Sequence, residues 1–327
     1  TSIFIFALVA LFWLVVAFGK SNKNEKKKIV FFFLFWIALL LSVSALQTIP
    51  TLELYLNSPL VEPFSKDVFK NGAIPYRYLL SFLAPDFFGN PATNNFWAKN
   101  YGNDTSSIGA LSLFFAALAL FKIKKWEIKF FSIIGILFIL FAVQSPLFYL
   151  IQKLNVPILV GTAPTRTIFI ACFSLSVLSA YGLESFLSGD KKLKNKFYAL
   201  LLIFIIIYLI LILSTILIPK LVATDIVSAS RLNVSKRNLL IPTLSLLAIP
   251  IAAIIGHLQK LTKFKTLDLR AVTLIGVLVL VSFYQFNKTS PFSKKENFFP
   301  QHPIISWLQN NAGINRFHGD GTAAFDN

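Results

Sequence analysis

The fold is decided by a pattern that opens the chain at residues 2–46, SIFIFALVALFWLVVAFGKSNKNEKKKIVFFFLFWIALLLSVSAL. Two apolar runs, 2–18 and 29–46, flank the basic segment 20–28. Each run is close to the roughly 20 residues that a membrane-spanning helix needs. The segment between them is too short and too basic to build a site of its own. The pattern therefore predicts two spanning helices joined by a short basic loop.

The same alternation continues along the chain. Eight apolar runs are present, and they cover residues 2–18, 29–46, 107–121, 130–143, 167–187, 197–218, 239–256 and 271–286. The run 130–143 is short, so it must borrow residues from 144–150 or thin the bilayer locally. We predict an all-α fold, a polytopic transmembrane helix bundle with about eight spans.

The basic residues orient this bundle. Seventeen of the 31 Lys and Arg residues lie in four short segments, 20–28, 122–129, 191–196 and 260–270. Short loops rich in Lys and Arg stay on the cytoplasmic side of a membrane. Both ends of the chain are then predicted to lie outside, together with the long loops. The four extracytoplasmic segments are 47–106, 144–166, 219–237 and 287–327.

Composition excludes a soluble protein. Hydrophobic residues make up 56% of the chain and charged residues only 14%, whereas soluble domains have about 25% charged residues. The net charge of +17 is interleaved with apolar runs and is not gathered on one soluble face. It therefore indicates anionic headgroups of membrane lipids as partners and argues against nucleic acid.

Two domains are predicted, a helix bundle over 1–286 and the start of an extracytoplasmic C-terminal domain over 287–327, with a short helix near 304–311. Because the chain opens directly into an apolar run and contains no Met, we expect a fragment truncated at both ends.

The outer loop 47–106 is too long for a passive connection. Within it, the aromatic segment 76–88 is too short to span, which favours a re-entrant or interfacial segment.

Acidic candidates lie in this loop. Asp86 sits between Pro85 and an aromatic pair, and burial there would favour its neutral form unless a cation or a metal is near. We predict that it is a catalytic base or a metal ligand; the alternative is that it caps a turn, with help from Asn90. Glu53 is a second candidate base; the alternative is that its side chain simply faces water.

The single cysteine, Cys172, and the scattered histidines form no metal-binding motif, so a possible divalent cation would need carboxylates.

Cationic candidates lie on the same side. Arg166 follows the Gly161-Thr-Ala-Pro-Thr stretch at the outer end of the fifth run, where its planar guanidinium suits a phosphate or diphosphate. Its alternative role is snorkelling to lipid headgroups. Arg77 and Lys99 are the other cations that could lie near Asp86.

One string carries a family resemblance. Residues 78–91, YLLSFLAPDFFGNP, followed by Asn100-Tyr101, resemble the YfhO-like bacterial membrane proteins. The stretch Thr162-Ala-Pro-Thr-Arg166 and the later stretch 302–311 are similar to further parts of the same family. The resemblance extends over nearly the whole chain.

That resemblance implies a GT-C-like fold and a membrane glycosyltransferase of the bacterial plasma membrane. Such an enzyme takes a sugar from a polyprenyl-phosphate donor and passes it to an envelope polymer acceptor. The resemblance implies that Arg166, then Arg77, binds the lipid phosphate. Trp97 and Tyr101 would offer stacking faces for the sugar, and Asn90 would also contact substrate. The alternatives are a flippase for lipid-linked saccharides and a non-catalytic envelope-assembly scaffold.

Overall fold

The structure is a computed structural model that describes residues 2–57, 72–93, 95–97, 101–154, 164–189, 191–221, 226–261, 268–289, 303–311 and 313. These residues are almost entirely helical and contain no strand. Their helices are α1 (Ser2–Lys20), α2 (Lys23–Leu56), α3 (Tyr101–Asp104), α4 (Ala110–Ala119), α5 (Trp126–Ala142), α6 (Pro146–Leu154), α7 (Ile168–Leu187), α8 (Lys194–Leu221), α9 (Ile226–Asn238), α10 (Leu240–Leu246), α11 (Ala248–Leu261), α12 (Leu269–Thr289) and α13 (Pro303–Asn311). The all-α prediction is confirmed, as is the short helix predicted near 304–311.

Five helical stretches among the described residues are long and apolar enough to cross a membrane. They are Lys23–Gln47, Pro164–Leu187, Lys194–Leu221, Ile226–Gln259 and Leu269–Lys288. Together they give the chain the character of a membrane protein. The other three predicted spans are not among these five, so the number of about eight spans stays a prediction. They correspond to α1, with 19 residues, to the shorter apolar helix Ala110–Lys122 and to α5, whose 17 residues extend about 26 Å.

Proline shapes the longest helical stretch. α9, α10 and α11 follow one another with single-residue interruptions at Leu239 and Leu247. A proline ring collides with the carbonyl four residues earlier and lacks the N–H that would bond to it. Pro242 and Pro250 therefore disturb the helix at residues 238 and 246, immediately before the two interruptions. Helix α2 keeps Pro50 in its interior and continues to Leu56, beyond the predicted end of its apolar run at residue 46.

Helix α7 lies at the centre of the packing, against α4 on one side and α5 on the other. Small residues permit this closeness, since helices in membranes approach best where side chains are short. The backbone at Gly182 lies against the carbonyl of Phe115 in α4, where a Cβ atom would overlap it. The contact at Gly135 of α5 is looser, because a Cβ atom added there would lie 3.4 Å from the Cβ of Ser174, an ordinary van der Waals distance. Phe115 itself is fully buried.

An ion pair fastens helix ends at the basic side of the bundle. Arg270 contacts both carboxylate oxygens of Asp268, at 3.0 and 2.6 Å, and donates to the carbonyl of Leu187 at 2.7 Å. Its aliphatic stem lies over Gly256, where a Cβ atom would collide with it. One side chain thus joins the end of α7, the second half of α11 and the start of α12. The hydrogen bonds from Arg270 hold the pKa of Asp268 below its usual value.

The chain divides into two compact units, Thr1–Phe283 and Tyr284–Asn327. The first contains the helices described above up to most of α12. In the second, the described part is the end of α12, helix α13 and Gly313. The greater part of the predicted C-terminal domain over 287–327 lies outside the described residues.

Adding a methyl group at Gly182 should separate α4 from α7. We expect Gly182→Ala to lower the stability by about 1–3 kcal/mol, the usual cost of overpacking, because the group it would meet is backbone and cannot rotate away. Gly276→Ala is the matched control, since its site in α12 has open space around it and loss of a helical glycine is neutral or stabilising. Thermal unfolding in detergent measures both. Equal melting temperatures for the two variants would contradict the close approach.

The Asp268–Arg270 pair should give stability that depends on pH. Because the pKa of Asp268 is lower in the folded chain, its contribution is fully present above the unfolded value of about 4 and is lost as the pH falls through the folded pKa. We expect Asp268→Asn to melt below the wild type at pH 6.5 and to approach it at pH 3. A difference in melting temperature that stays constant across this range would contradict the prediction.

Candidate functional site

The segment 72–97, described at 72–93 and 95–97, enters the helix bundle and contains no α-helix among those residues. It begins with a 3₁₀ helix, Tyr76–Phe82, continues through turns to residue 88, and includes a second short 3₁₀ turn, Pro91–Thr93. Its aromatic rings meet edge to face: the ring of Phe88 lies 4.7 Å from Tyr78, 5.1 Å from Phe87 and 4.9 Å from Trp97. These rings share one core with α4, α8 and α10. We call this segment the re-entrant segment because it packs into the helix bundle; whether it is re-entrant or interfacial with respect to a membrane stays a prediction.

Three donors from the bundle bind the carbonyl groups of this segment. The hydroxyl of Tyr208 in α8 donates to the carbonyl of Leu83 at 2.5 Å. In α9, Ser235 donates to the carbonyl of Phe87 at 2.6 Å and Asn238 to that of Asp86 at 2.6 Å. Buried carbonyls outside helices must find such partners, because an unpaired one costs free energy comparable to a lost hydrogen bond.

The position of Tyr208 shows how deeply the segment enters. Tyr208 lies near the middle of α8, which has 28 residues, so each end of that helix is about 20 Å away along its axis. Leu83 is hydrogen-bonded to it and therefore lies at the same level. The turn that carries Asp86 is thus placed well inside the bundle.

Two further contacts fix the ends of the segment. The backbone of Ile74 pairs with the end of α5, accepting from Gln144 at 3.1 Å and donating to Ala142 at 2.9 Å. After the aromatic turn, Gly89 adopts a φ of 87°, a left-handed value that favours glycine. A Cβ atom there would overlap the backbone of Asn95. The chain therefore folds back tightly, and the N–H of Trp97 donates to the carbonyl of Phe88 at 3.0 Å.

Asp86 is buried, with 2% of its surface exposed. Its carboxylate accepts a hydrogen bond of 2.8 Å from the hydroxyl of Tyr101. The side-chain amide of Asn90 lies 3.4 and 3.5 Å from its two oxygens, longer than a strong hydrogen bond. Asn90 has no exposed surface and accepts from the N–H of Ala92 at 2.7 Å. These contacts are compatible with both predicted alternatives, a turn capped with the help of Asn90 and a chemical role of the carboxylate.

Arg166 presents the opposite situation. It lies in the 3₁₀ turn Pro164–Thr167 at the start of α7, and its side chain is exposed. Within the described part of the chain it makes no hydrogen bond or ion pair. Beside it, the hydroxyl of Thr165 is buried without a hydrogen-bond partner, while the hydroxyl of Thr167 donates to the carbonyl of Pro164 at 2.7 Å.

The turn Pro164–Thr167 packs against α3, the short helix that begins with Tyr101. Tyr101 donates to Asp86, so α3 links the buried acid to the turn that carries the exposed Arg166. The structure therefore brings the two strongest sequence candidates into one region. It lies at the end of α7 opposite to the one that Arg270 fastens.

The remaining predicted residues are distributed as follows. Arg77 lies over the ring of Tyr78, 4.9 Å from its centroid, and donates to its hydroxyl at 3.1 Å. The ring of Trp97 packs on Phe88, and the guanidinium of Arg231 lies over it at 5.8 Å. Tyr101 packs edge-on against Phe96.

Two other predicted residues are not placed at this site. Glu53 is exposed on α2, in a different element from Asp86, and Lys99 lies outside the described residues.

The residues that hold the segment in place were missed by the sequence analysis. Tyr208 is the one aromatic hydroxyl within the aliphatic stretch 200–213, LLLIFIIIYLILIL, and Ser235 and Asn238 immediately precede an apolar run. A polar group in or beside a spanning helix is costly unless it has a partner, and that cost is the signal that could have identified them.

Among the described residues, no group of three or more His, Cys, Asp or Glu side chains is arranged to hold a metal ion. No protein-family model, curated protein or solved structure matches the chain. The resemblance to the YfhO-like proteins therefore stays a prediction, and the site has to be interpreted from its own geometry.

Removing the hydroxyl of Tyr208 should loosen the re-entrant segment. We expect Tyr208→Phe to cost about 1–3 kcal/mol, because the buried carbonyl of Leu83 is left without a donor. Tyr198→Phe is the matched control, since Tyr198 lies on the same helix and is more than half exposed. Thermal unfolding measures the loss, and hydrogen exchange of residues 80–90 should rise in Tyr208→Phe alone. Unchanged exchange would show that the donor does not hold the segment.

Proposed function

We propose that the chain is a glycosyltransferase of the bacterial plasma membrane that takes a sugar from a polyprenyl-phosphate donor and attaches it to a cell-envelope glycan or polymer. The observation that carries this proposal is the placement of Arg166, exposed and without an ion pair among the described residues, beside the short helix whose Tyr101 binds the buried Asp86. An accessible guanidinium and a carboxylate in one region are the two groups that such a transfer needs. The resemblance of residues 78–91 to the YfhO-like proteins supports the same reaction.

Arg166 is assigned to the donor phosphate. A guanidinium offers several N–H donors in one plane and matches phosphate oxygens in pairs. Phosphate charge increases as the bond between the sugar and the phosphate breaks, so a fixed cation stabilises the transition state more than the bound donor. The buried hydroxyl of Thr165, which has no hydrogen-bond partner among the described residues, is next to it in sequence. Arg77 is a weaker candidate because its guanidinium is already engaged with Tyr78.

Asp86 is assigned to the acceptor. In the transfer, the acceptor oxygen bonds to the anomeric carbon, the bond from that carbon to the phosphate oxygen breaks, and the lipid phosphate leaves as an anion. The proton of the acceptor hydroxyl passes to the carboxylate of Asp86, which acts as general base. The acceptor hydroxyl has to replace the hydroxyl of Tyr101, which occupies Asp86 in this structure. The reaction therefore includes a movement of α3.

The proposed arrangement has about eight spans, a GT-C-like bundle, and both ends of the chain outside the cell. The concentration of Lys in short segments supports this orientation. Arg166 begins the stretch that leads into α7, whereas Leu187 at the other end of α7 contacts Arg270 of a basic segment. With the basic segments in the cytoplasm, the turn that carries the exposed Arg166 lies at the outer leaflet, where lipid-linked sugars would approach.

The test uses purified protein, a radiolabelled polyprenyl-phosphate sugar and an envelope polymer acceptor. We expect Arg166→Ala to lower the transfer rate about 10²–10³-fold, the typical effect of removing one donor to a developing charge. Asp86→Asn should lower it about 10²–10⁴-fold, as loss of a general base does. Lys153→Ala is the control, because Lys153 is an exposed cation of the same predicted outer segment and has no assigned role.

The outcomes separate the competing functions. Transfer that both variants leave unchanged, at normal expression, would refute the assignment of the site. Movement of the lipid-linked sugar from one leaflet of the vesicle membrane to the other, without transfer of the sugar to the acceptor, would identify a flippase. Neither transfer nor movement, under conditions where the wild type is folded, would favour an envelope-assembly scaffold.

A further inference from the structure

Lysines of the basic segments lie over aromatic rings at one end of the bundle. Among the described residues there are four such pairs: Lys20 over Trp126, Lys26 over Phe18, Lys125 over Tyr181 and Lys196 over Phe121, with Nζ 4.6, 5.1, 6.0 and 5.1 Å from the ring centroids. All four pairs join different elements, so they also mark which helix ends lie together. The start of α2 meets the end of α1. The end of α1 meets the start of α5, the start of α5 meets the second half of α7, and the start of α8 meets the turn after α4.

Two of the pairs are adjacent, because Lys125 directly precedes Trp126. Lys20 lies over Trp126 on α5, and Lys125 lies over Tyr181 on α7. We call Lys20, Lys125, Trp126 and Tyr181 the lysine–aromatic cluster. Both lysine side chains are exposed, and neither forms an ion pair with the described residues. Each ring attracts the ammonium group above it, which reduces the number of side-chain conformations that ligand binding would have to restrict.

Charges around the cluster are predominantly positive. The segment 122–129 contributes three further lysines, at positions 122, 124 and 129. Two acids oppose them, since Glu127 and Glu184 are both close enough to Tyr181 to act on it electrostatically. Five lysines against two glutamates leave a net positive surface, which attracts an anion.

The flank of the cluster is apolar and exposed. Beside Lys20, helix α1 exposes Phe12 and Val15, and beside Lys125 the chain exposes Phe121 and Ile123. A soluble anion gains nothing from contact with this apolar surface, whereas an acyl chain that covers it removes apolar area from water. Tyr and Trp concentrate at the level of the headgroups in membrane proteins, and basic clusters at the ends of spans bind anionic headgroups.

We propose that the lysine–aromatic cluster is a binding site for one anionic phospholipid, whose phosphate lies between Lys20 and Lys125 and whose acyl chains follow the exposed faces of α1 and α5. The site is independent of sugar transfer. By joining α1 to the α5–α7 pair, a bound lipid stabilises the first helix on the rest of the bundle.

The experiment titrates the purified protein in neutral detergent with phosphatidylglycerol or with phosphatidylcholine of the same acyl chains. Melting temperature and lipids retained in native mass spectrometry are the two measurements. We expect phosphatidylglycerol to raise the melting temperature more than phosphatidylcholine does. In Lys20→Gln/Lys125→Gln, the concentration needed for half of that rise should increase about 30-fold, given the usual contribution of each of two basic residues at an anionic surface.

Three controls make the result decisive. Lys23→Gln/Lys124→Gln removes the same charge from the same two segments at exposed positions without a ring contact in the described structure, and it should behave as the wild type. Lys20→Arg/Lys125→Arg should retain the preference for phosphatidylglycerol. Inorganic phosphate, which lacks acyl chains, should not raise the melting temperature. An equal effect of the two glutamine pairs, full stabilisation by inorganic phosphate, or no preference between the lipids would each overturn the proposal.

Discussion

The hydrogen bonds that Tyr208, Ser235 and Asn238 donate to the carbonyls of the re-entrant segment are the constraint on which the rest of the site depends. A segment without helical hydrogen bonds can enter an apolar bundle only if its backbone finds donors there. Two polar residues at the end of α9 and one hydroxyl in the middle of α8 supply them. Because those donors are fixed on long helices, the turn that carries Asp86 has a defined depth.

The two candidate residues, Asp86 and Arg166, differ in their exposure because they lie in different structural elements. Asp86 lies in a turn enclosed by aromatic rings, so its carboxylate is buried and bonded to Tyr101. Arg166 lies in the turn before α7, at the surface, where its guanidinium stays accessible. In the proposed transfer, the lipid phosphate is large and arrives from the membrane, so an accessible cation suits it. The proposed general base would benefit from exclusion of water, so a closed position suits Asp86.

The ends of the bundle also differ in how their cations are used. At the end with the candidate site, Arg77 and Arg231 lie over Tyr78 and Trp97 as part of the packing of the re-entrant segment. At the other end, lysines lie over rings while remaining exposed, and Arg270 joins three helices through Asp268 and the carbonyl of Leu187. Arg270, with several donors in one plane, thus joins helices through hydrogen bonds, whereas the lysines at this end keep their charged groups exposed.

Hydropathy and helix-breaking residues act over short distances along the chain, so the fold class and the positions of most helices can be predicted from the residues alone. The same residues identify Asp86, Arg166 and Tyr101 as candidates, but they do not show that Tyr101 binds Asp86 or that Glu53 lies on an exposed part of α2. The entry of residues 76–88 into the bundle, and the donors that hold them there, become evident only in the folded chain. Those bonds connect positions 125 and 152 residues apart, and no local pattern specifies which hydroxyl or amide will meet which carbonyl across such a separation.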